Sequence, residues 1–180
     1  MAVKVLLDTD IGDDIDDAWA LSFCLCHPGI ELVGVTTVWG DTGTRAALAR
    51  LLAERAGKVV EVVAGSRDGL GRRAPSRRPT YADVLGSEEE RLRRGRTDGV
   101  RFMAEAARRH PGLVLLTIGP LTNAARFALE FPEEFRLVSR LVMMCGHLIP
   151  GRTDAEYNAG CDPKATRIIF SKEIPKFVVG

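Results

Sequence analysis

The chain has 180 residues, 46% hydrophobic and 27% charged, with 25 basic against 24 acidic side chains and a formal net charge of +1. That length suits one domain with a substantial core, and the charge balance excludes a global pull toward nucleic acid or membrane surfaces. No apolar run reaches the roughly 20 residues of a membrane span, and no secretory signal opens the chain.

In chain order, the first predicted strand is "VKVLL" (3–7), followed by a turn and a helix over about 17–27. Further strands are predicted at "ELVGVTTV" (31–38), "VEVVAG" (60–65), "LVLLTIG" (113–119), "LVMMCG" (141–146) and "KFVVG" (176–180), all rich in Val, Leu and Ile. Helices fall between them at about 43–56, 98–110, 121–130 and 163–172; the last opens with Asp162 as N-cap and Pro163 at the first helical position. Strand and helix in alternation imply an open, mostly parallel, doubly wound Rossmann-like α/β sheet with helices on both faces. Residues 66–97 interrupt the rhythm, being rich in Arg, Gly and Pro; they read first as a solvated surface excursion and second as a lid. Nucleic-acid binding is disfavoured there, because Glu88, Glu89 and Glu90 interrupt the basic residues and aromatics are nearly absent. The whole of 1–180 is expected to be a single domain. Its end on a core-like strand leads us to expect the N-terminal part of a longer protein and a homo-oligomer. Cys24, Cys26, Cys145 and Cys161 form no C-x-x-C pair and are expected to be reduced, in a cytoplasmic protein.

The turn after the first strand holds the chemistry. "LLDTDIGDDIDDAWAL" (6–21) places Asp8, Asp10, Asp13, Asp14, Asp16 and Asp17 within ten positions. Like charges this close call for a cation among them, or for retained protons. In an open parallel sheet this turn lies at the carboxyl end of a strand, where ligands bind. Many hard oxygens suit Ca²⁺ or Mg²⁺, and the scattered His27, His110 and His147 offer no zinc cluster. A plain acidic helix start, with Asp16 or Asp17 as cap, explains one or two aspartates rather than six. An EF-hand does not fit, since the turn follows a strand. "DTD" after a first strand also resembles the haloacid-dehalogenase phosphatases, in which Asp8 would be the nucleophile, although "IGDDIDD" departs from the continuation of that motif.

A fuller resemblance runs along the chain. "DTDIGDDIDDAWAL" resembles the N-terminal signature of the nucleoside hydrolases, with Ile11 for the usual Pro and two additional residues before the D-D-A. "VTTVWGDTGTRAAL" (35–48) is similar to the family's T-T-V-x-G-N segment, with Asp41 for Asn; "TIGPLTNAA" (117–125) resembles its G-P-L-T-N loop, and "AEYNAGCDPKA" (155–165) its A-E-aromatic-N segment.

The resemblance implies Ca²⁺-dependent hydrolysis of the N-glycosidic bond of a ribonucleoside. It implies Asp10 as metal ligand and general base, Asp17 as second ligand, Asp8 in support of the metal and the Thr122 carbonyl as a further ligand. Asp16, Glu156 and Asn158 would meet ribose, with Asp41 beside them. A further aspartate ligand and a histidine come, in the family, from beyond the last residue of this sequence. A relative that binds ribosyl ligands without turnover is the remaining alternative. From the residues alone, Asn123 reads as a helix cap, Trp19 as core, His147 as a loop residue without a catalytic role, and the loop before Ala155 as short for the family.

Overall fold

The computed structural model describes residues 2–147 and 154–180. The shortness expected of the loop before Ala155 therefore falls largely outside the described residues. Six strands, β1 (Val3–Thr9), β2 (Ile30–Thr37), β3 (Val62–Ala64), β4 (Val114–Thr117), β5 (Arg140–Met144) and β6 (Lys176–Val179), form one sheet in the order β3-β2-β1-β4-β5-β6. Every pairing is parallel. Strand order turns back between β1 and β4, so the carboxyl ends of these two central strands open a crevice.

Leu6 and Leu7 show why both faces are covered: adjacent strand residues point to opposite sides, and both are fully buried. On the Leu6 side lie α4 (Gly99–Arg109), α5 (Thr122–Glu130), α6 (Pro132–Phe135) and α8 (Pro163–Phe170), with Phe102, Phe127, Leu115 and Leu141 in the core. On the Leu7 side, α1 (Asp16–Cys26) and α2 (Thr42–Arg55) bring Leu21, Leu25, Ala46 and Ala49 against Val35. The doubly wound α/β architecture is thus the one the alternating pattern predicts.

Residues 66–97 are more than a solvated excursion. They hold a 3-10 segment (Ala82–Glu88) and α3 (Glu89–Arg93), and bury Ala82, Leu85 and Leu92 against Ala47 and Leu48 of α2. A short helix α7 (Tyr157–Cys161) precedes α8. All four cysteines are free, Cys24 buried and Cys26 exposed on different sides of α1. Trp19, expected in the core, is 71% exposed on α1. Among the described residues, no helix is long and apolar enough to cross a membrane.

Candidate active site

At the carboxyl end of β1 the chain leaves the sheet and enters the acidic turn. A cavity of about 360 Å³ opens there. Asp10, Asp13, Asp14, Asp16 and Asp17 line one part of it. Ile118 beyond β4, Met144 at the end of β5, and Glu156, Tyr157 and Asn158 at the start of α7 line another. Arg77 and Thr80 of the Arg-rich segment complete it. Chain segments far apart in sequence thus converge on the crevice.

Each carboxylate has its own surroundings. Asp8 is fully buried and does not line the cavity; its Oδ1 accepts from Thr36 Oγ1 (2.7 Å) and Asn123 Nδ2 (2.8 Å), while Oδ2 is buried with no hydrogen-bond partner. Burial pushes its carboxyl up to about 7, against the pull of the two donors. Asp10 is also raised, mainly by burial, with the nearby Arg45 guanidinium acting the other way. Asp17 is raised by burial and by the neighbouring Asp10 charge; its Oδ1 accepts from Thr9 Oγ1. The Thr9 hydroxyl also receives the Ile11 amide at 3.0 Å, so the residue between Asp8 and Asp10 ties the turn to the helix. Asp16 and Asp14 are exposed at the mouth. Neither Asp16 nor Asp17 caps α1: its N-cap is Ile15, with no side-chain cap bond.

Asp13 differs from the buried three. Burial alone would raise its carboxyl, but donation by Arg45 and Thr80 outweighs that and holds it below the ordinary value.

Glu156 is 5% exposed and caps α7, accepting from the amides of Asn158 (2.8 Å), Ala159 (3.1 Å) and Gly146 (3.1 Å). Asn158 donates its amide NH₂ to the carbonyls of Ile118 (2.9 Å) and Met144 (3.3 Å). That leaves its acceptor oxygen as the end suited to a hydroxyl donor.

Two residues chosen from sequence lie elsewhere. Asp41 caps α2, accepting from Thr44 N at 3.1 Å and pairing with Arg93 at 3.1 Å, and does not line the cavity. Thr122 begins α5 with its hydroxyl donating to Asp162 Oδ2 at 2.7 Å; the residue of the β4–α5 loop that lines the cavity is Ile118. His147 also lies outside the lining, 3.6 Å from Asp154. Asp162 caps α8 as predicted, accepting from Ala165 N at 3.1 Å.

Asn123 corrects the reading of a plain cap. It lies within α5, where it is buried; besides its bond to Asp8, it donates to Thr37 O at 3.0 Å and accepts from Ser66 N at 2.8 Å. Arg45 was also missed from sequence. It is 4% exposed and donates to the carbonyls of Asp10, Ile11 and Trp39. One of three arginines in the alanine- and leucine-rich α2 gives no sign of this; only its burial does.

Among the described residues, no three His, Cys, Asp or Glu side chains form a ready-made metal cage. The donor chemistry nevertheless fits a hard divalent cation: Asp10 and Asp17 border the cavity, and behind them Asp8 keeps a buried carboxylate oxygen without a partner.

The model of a family described as inosine-uridine preferring nucleoside hydrolase matches residues 5–180. Probable uridine nucleosidase 1 of Oryza sativa subsp. japonica is 32% identical over 196 residues, covering 98% of this chain and 58% of that protein. A non-specific ribonucleoside hydrolase, RihC, of Shigella flexneri is 32% identical over 194 residues, covering 100% of this chain and 62% of its own length. Among solved structures, a plant nucleoside hydrolase superposes with a TM-score of 0.81 at 30% identity, over 100% of this chain and 60% of that one. An inosine-uridine preferring enzyme from Bacillus anthracis superposes with a TM-score of 0.79 at 26% identity, covering 98% and 64%. The chain thus spans less than two thirds of the length of these relatives.

Proposed function

Since the chain belongs to the inosine-uridine preferring nucleoside hydrolase family, we propose that its protein hydrolyses the N-glycosidic bond of ribonucleosides, releasing ribose and free base. The observation that carries this reading is the convergence of Asp10, Asp16, Asp17, Glu156 and Asn158 on one cavity at the carboxyl ends of β1, β4 and β5. These residues come from two distant segments, and both ends of the resemblance meet there.

Departure of a nucleobase leaves an oxocarbenium-like ribosyl cation, which anionic walls favour. Asp10 is the general base of the proposal: burial moves its carboxyl toward neutrality, where a base is effective, and it lies within the cavity that would admit the attacking water. Asp16, Glu156 and Asn158 offer acceptors for ribose hydroxyls. Ca²⁺ is the cation of this reading, held by Asp10 and Asp17 with Asp8 behind them. When bound it would supply a fixed positive charge that orients water and ribose oxygens. Thr122 and Asp41 do not line the cavity, so this reading assigns neither of them a contact with the cation or the ribose. The proposal includes a single domain, a cytosolic location and a homo-oligomer; the four free cysteines support the second and the exposed Trp19 and Phe23 side chains the third.

The phosphatase alternative loses its nucleophile, because Asp8 is sealed from the cavity and held by Thr36 and Asn123. The deciding assay is ribose release from inosine, uridine, adenosine and cytidine, with Ca²⁺ and then with a chelator. Chelator-sensitive release that Asp10→Ala abolishes is the expected outcome. Binding of a nucleoside without any release, by this chain and again by the protein extended to its relatives' length, would point to the inactive relative and end the hydrolase reading.

A further inference from the structure

Asp13 and Asp14 are the residues by which the acidic turn exceeds the usual family spacing, and Asp13 has three hydrogen-bond donors and a further ion pair on it. Its Oδ1 receives the Thr80 amide (3.1 Å) and the Thr80 hydroxyl (2.8 Å) and forms an ion pair with Arg77 Nη1 (3.0 Å); its Oδ2 receives Arg45 Nη2 (2.9 Å). Each carboxylate oxygen accepts at about two lone-pair sites, so Oδ1 is saturated by Arg77 and Thr80 while Oδ2 is tied to Arg45. Around it the same two segments are joined again. The Tyr81 amide donates to Gly12 O at 3.1 Å and the Tyr81 hydroxyl to Asp14 O at 3.3 Å. Gly12 has φ +134°, and a β-carbon there would stand 2.5 Å from Pro79 Cβ, so the glycine lets Pro79 lie directly on the turn.

Behind Asp13, Arg45 links this contact to the catalytic segment. Its guanidinium holds the carbonyls of Asp10 and Ile11, and its Nε donates at 2.7 Å to Trp39 O, where the chain takes a left-handed φ of 69°. Arg77 is the single cationic side chain among the described residues that line the cavity, and Thr80 lines it too.

We propose that Asp13 is a positioning residue that tethers segment 77–81 to the acidic turn, so that Arg77 and Thr80 stand as a wall of the substrate cavity, with Arg45 fixing the turn from behind. The proposal rests on the reading of this cavity as the nucleoside site. It gives the Arg-rich segment a role: a fixed wall rather than a free lid.

The tether can be read without turnover. Trypsin cuts after arginine but not before proline, so within segment 77–81 it acts at the Arg77–Arg78 bond, while Arg94–Gly95 serves as an internal control outside the tether. In native digestion followed by mass spectrometry, Asp13→Ala is expected to speed the cut after Arg77 about tenfold, the worth of one charge-assisted hydrogen bond, and to leave the cut after Arg94 unchanged. Asp13→Asn, which keeps an acceptor for Thr80, should fall between Asp13→Ala and the parent. Both cuts rising together would mark general unfolding of Asp13→Ala, and Asp13→Asn and Thr80→Ala, which keep the Arg77 cleavage site, then decide. If neither speeds the Arg77 cut in a folded chain, the tether is refuted. In the ribose-release assay, KM should rise about tenfold with kcat changed less than threefold, and Asp13→Ala combined with Arg77→Ala should be no worse than Asp13→Ala alone. Additive losses, or a fall confined to kcat, would overturn the positioning role. The digestion result holds whether or not the parent chain releases ribose, so failure of the tether and failure of the hydrolase reading are separable.

Discussion

A β-carbon built on Gly119 would stand 2.7 Å from Asp10 Oδ1 and 2.9 Å from the Asp10 amide. The β4–α5 loop therefore approaches the proposed base as closely as a residue without a side chain allows. We expect Gly119→Ala to displace Asp10 and lower ribose release about 100-fold, since small misplacements of a catalytic group cost this much. Kinetics beside circular dichroism would check this, and unaltered turnover would mean that Asp10 is not the base. Gly119 was visible in sequence only as part of a resembling "GPLTN", with no hint that space was its contribution. The same limit applies to Asn123 and Arg45: residue type and spacing cannot show that one buried amide joins Asp8, Thr37 and Ser66, or that one guanidinium holds three carbonyls. Asp10 and Asp17 stand out through the crowded charge of the turn after β1, whereas Glu156, the α7 cap, and Asn158, within α7, are marked only by the family resemblance.

At the scale of elements, the strands were legible because each is a short run rich in Val, Leu or Ile. The central β1 owes this to burial on both faces, whereas the edge strand β6 is apolar although Phe177 and Val179 are exposed. Segment 66–97 was not. Its buried residues Ala82, Leu85 and Leu92 are too few and too widely spaced to show a period, and the charges between them pair with one another and with α2. Arg91, for example, meets Glu54 and Glu88, each at 2.8 Å. Exposed pairs of this kind add little stability, so the apolar anchors must hold the segment on α2. Leu85→Ala and Leu92→Ala should each cost about 2–5 kcal/mol, the range for a buried leucine, where a solvated excursion would lose less than about 0.5. Urea denaturation decides between these values. Losses near zero would return the segment to the surface and weaken the wall it is proposed to form. Short helices α6 and α7 also escaped prediction, for a related reason: four or five residues cannot display a helical repeat.

For the molecule as a whole, the central question is what the buried acids cost when they are charged. In the folded chain Asp8 keeps its proton up to about pH 7, whereas unfolded it would release it near 3.8. Asp10 and Asp17 shift in the same direction, each chiefly through burial. Between the ordinary carboxylate value and about 7 the folded state thus binds more protons than the unfolded one, and stability falls as pH rises through that window. Below it, all three acids are protonated in both states and the penalty is absent. A cation that binds only the folded chain opposes this penalty by mass action, but it needs the carboxylates ionised. Thermal melts in excess Ca²⁺ and in chelator should therefore show a larger rise in Tm at pH 8 than at pH 5. Asp17→Asn, which removes one proposed ligand and one buried charge, should raise the melting temperature of the chelated chain at pH 8 and shrink its response to Ca²⁺. An equal response at both pH values, or one unchanged in Asp17→Asn, would place any Ca²⁺ effect away from these aspartates and deprive the proposed hydrolase of its cation at this site.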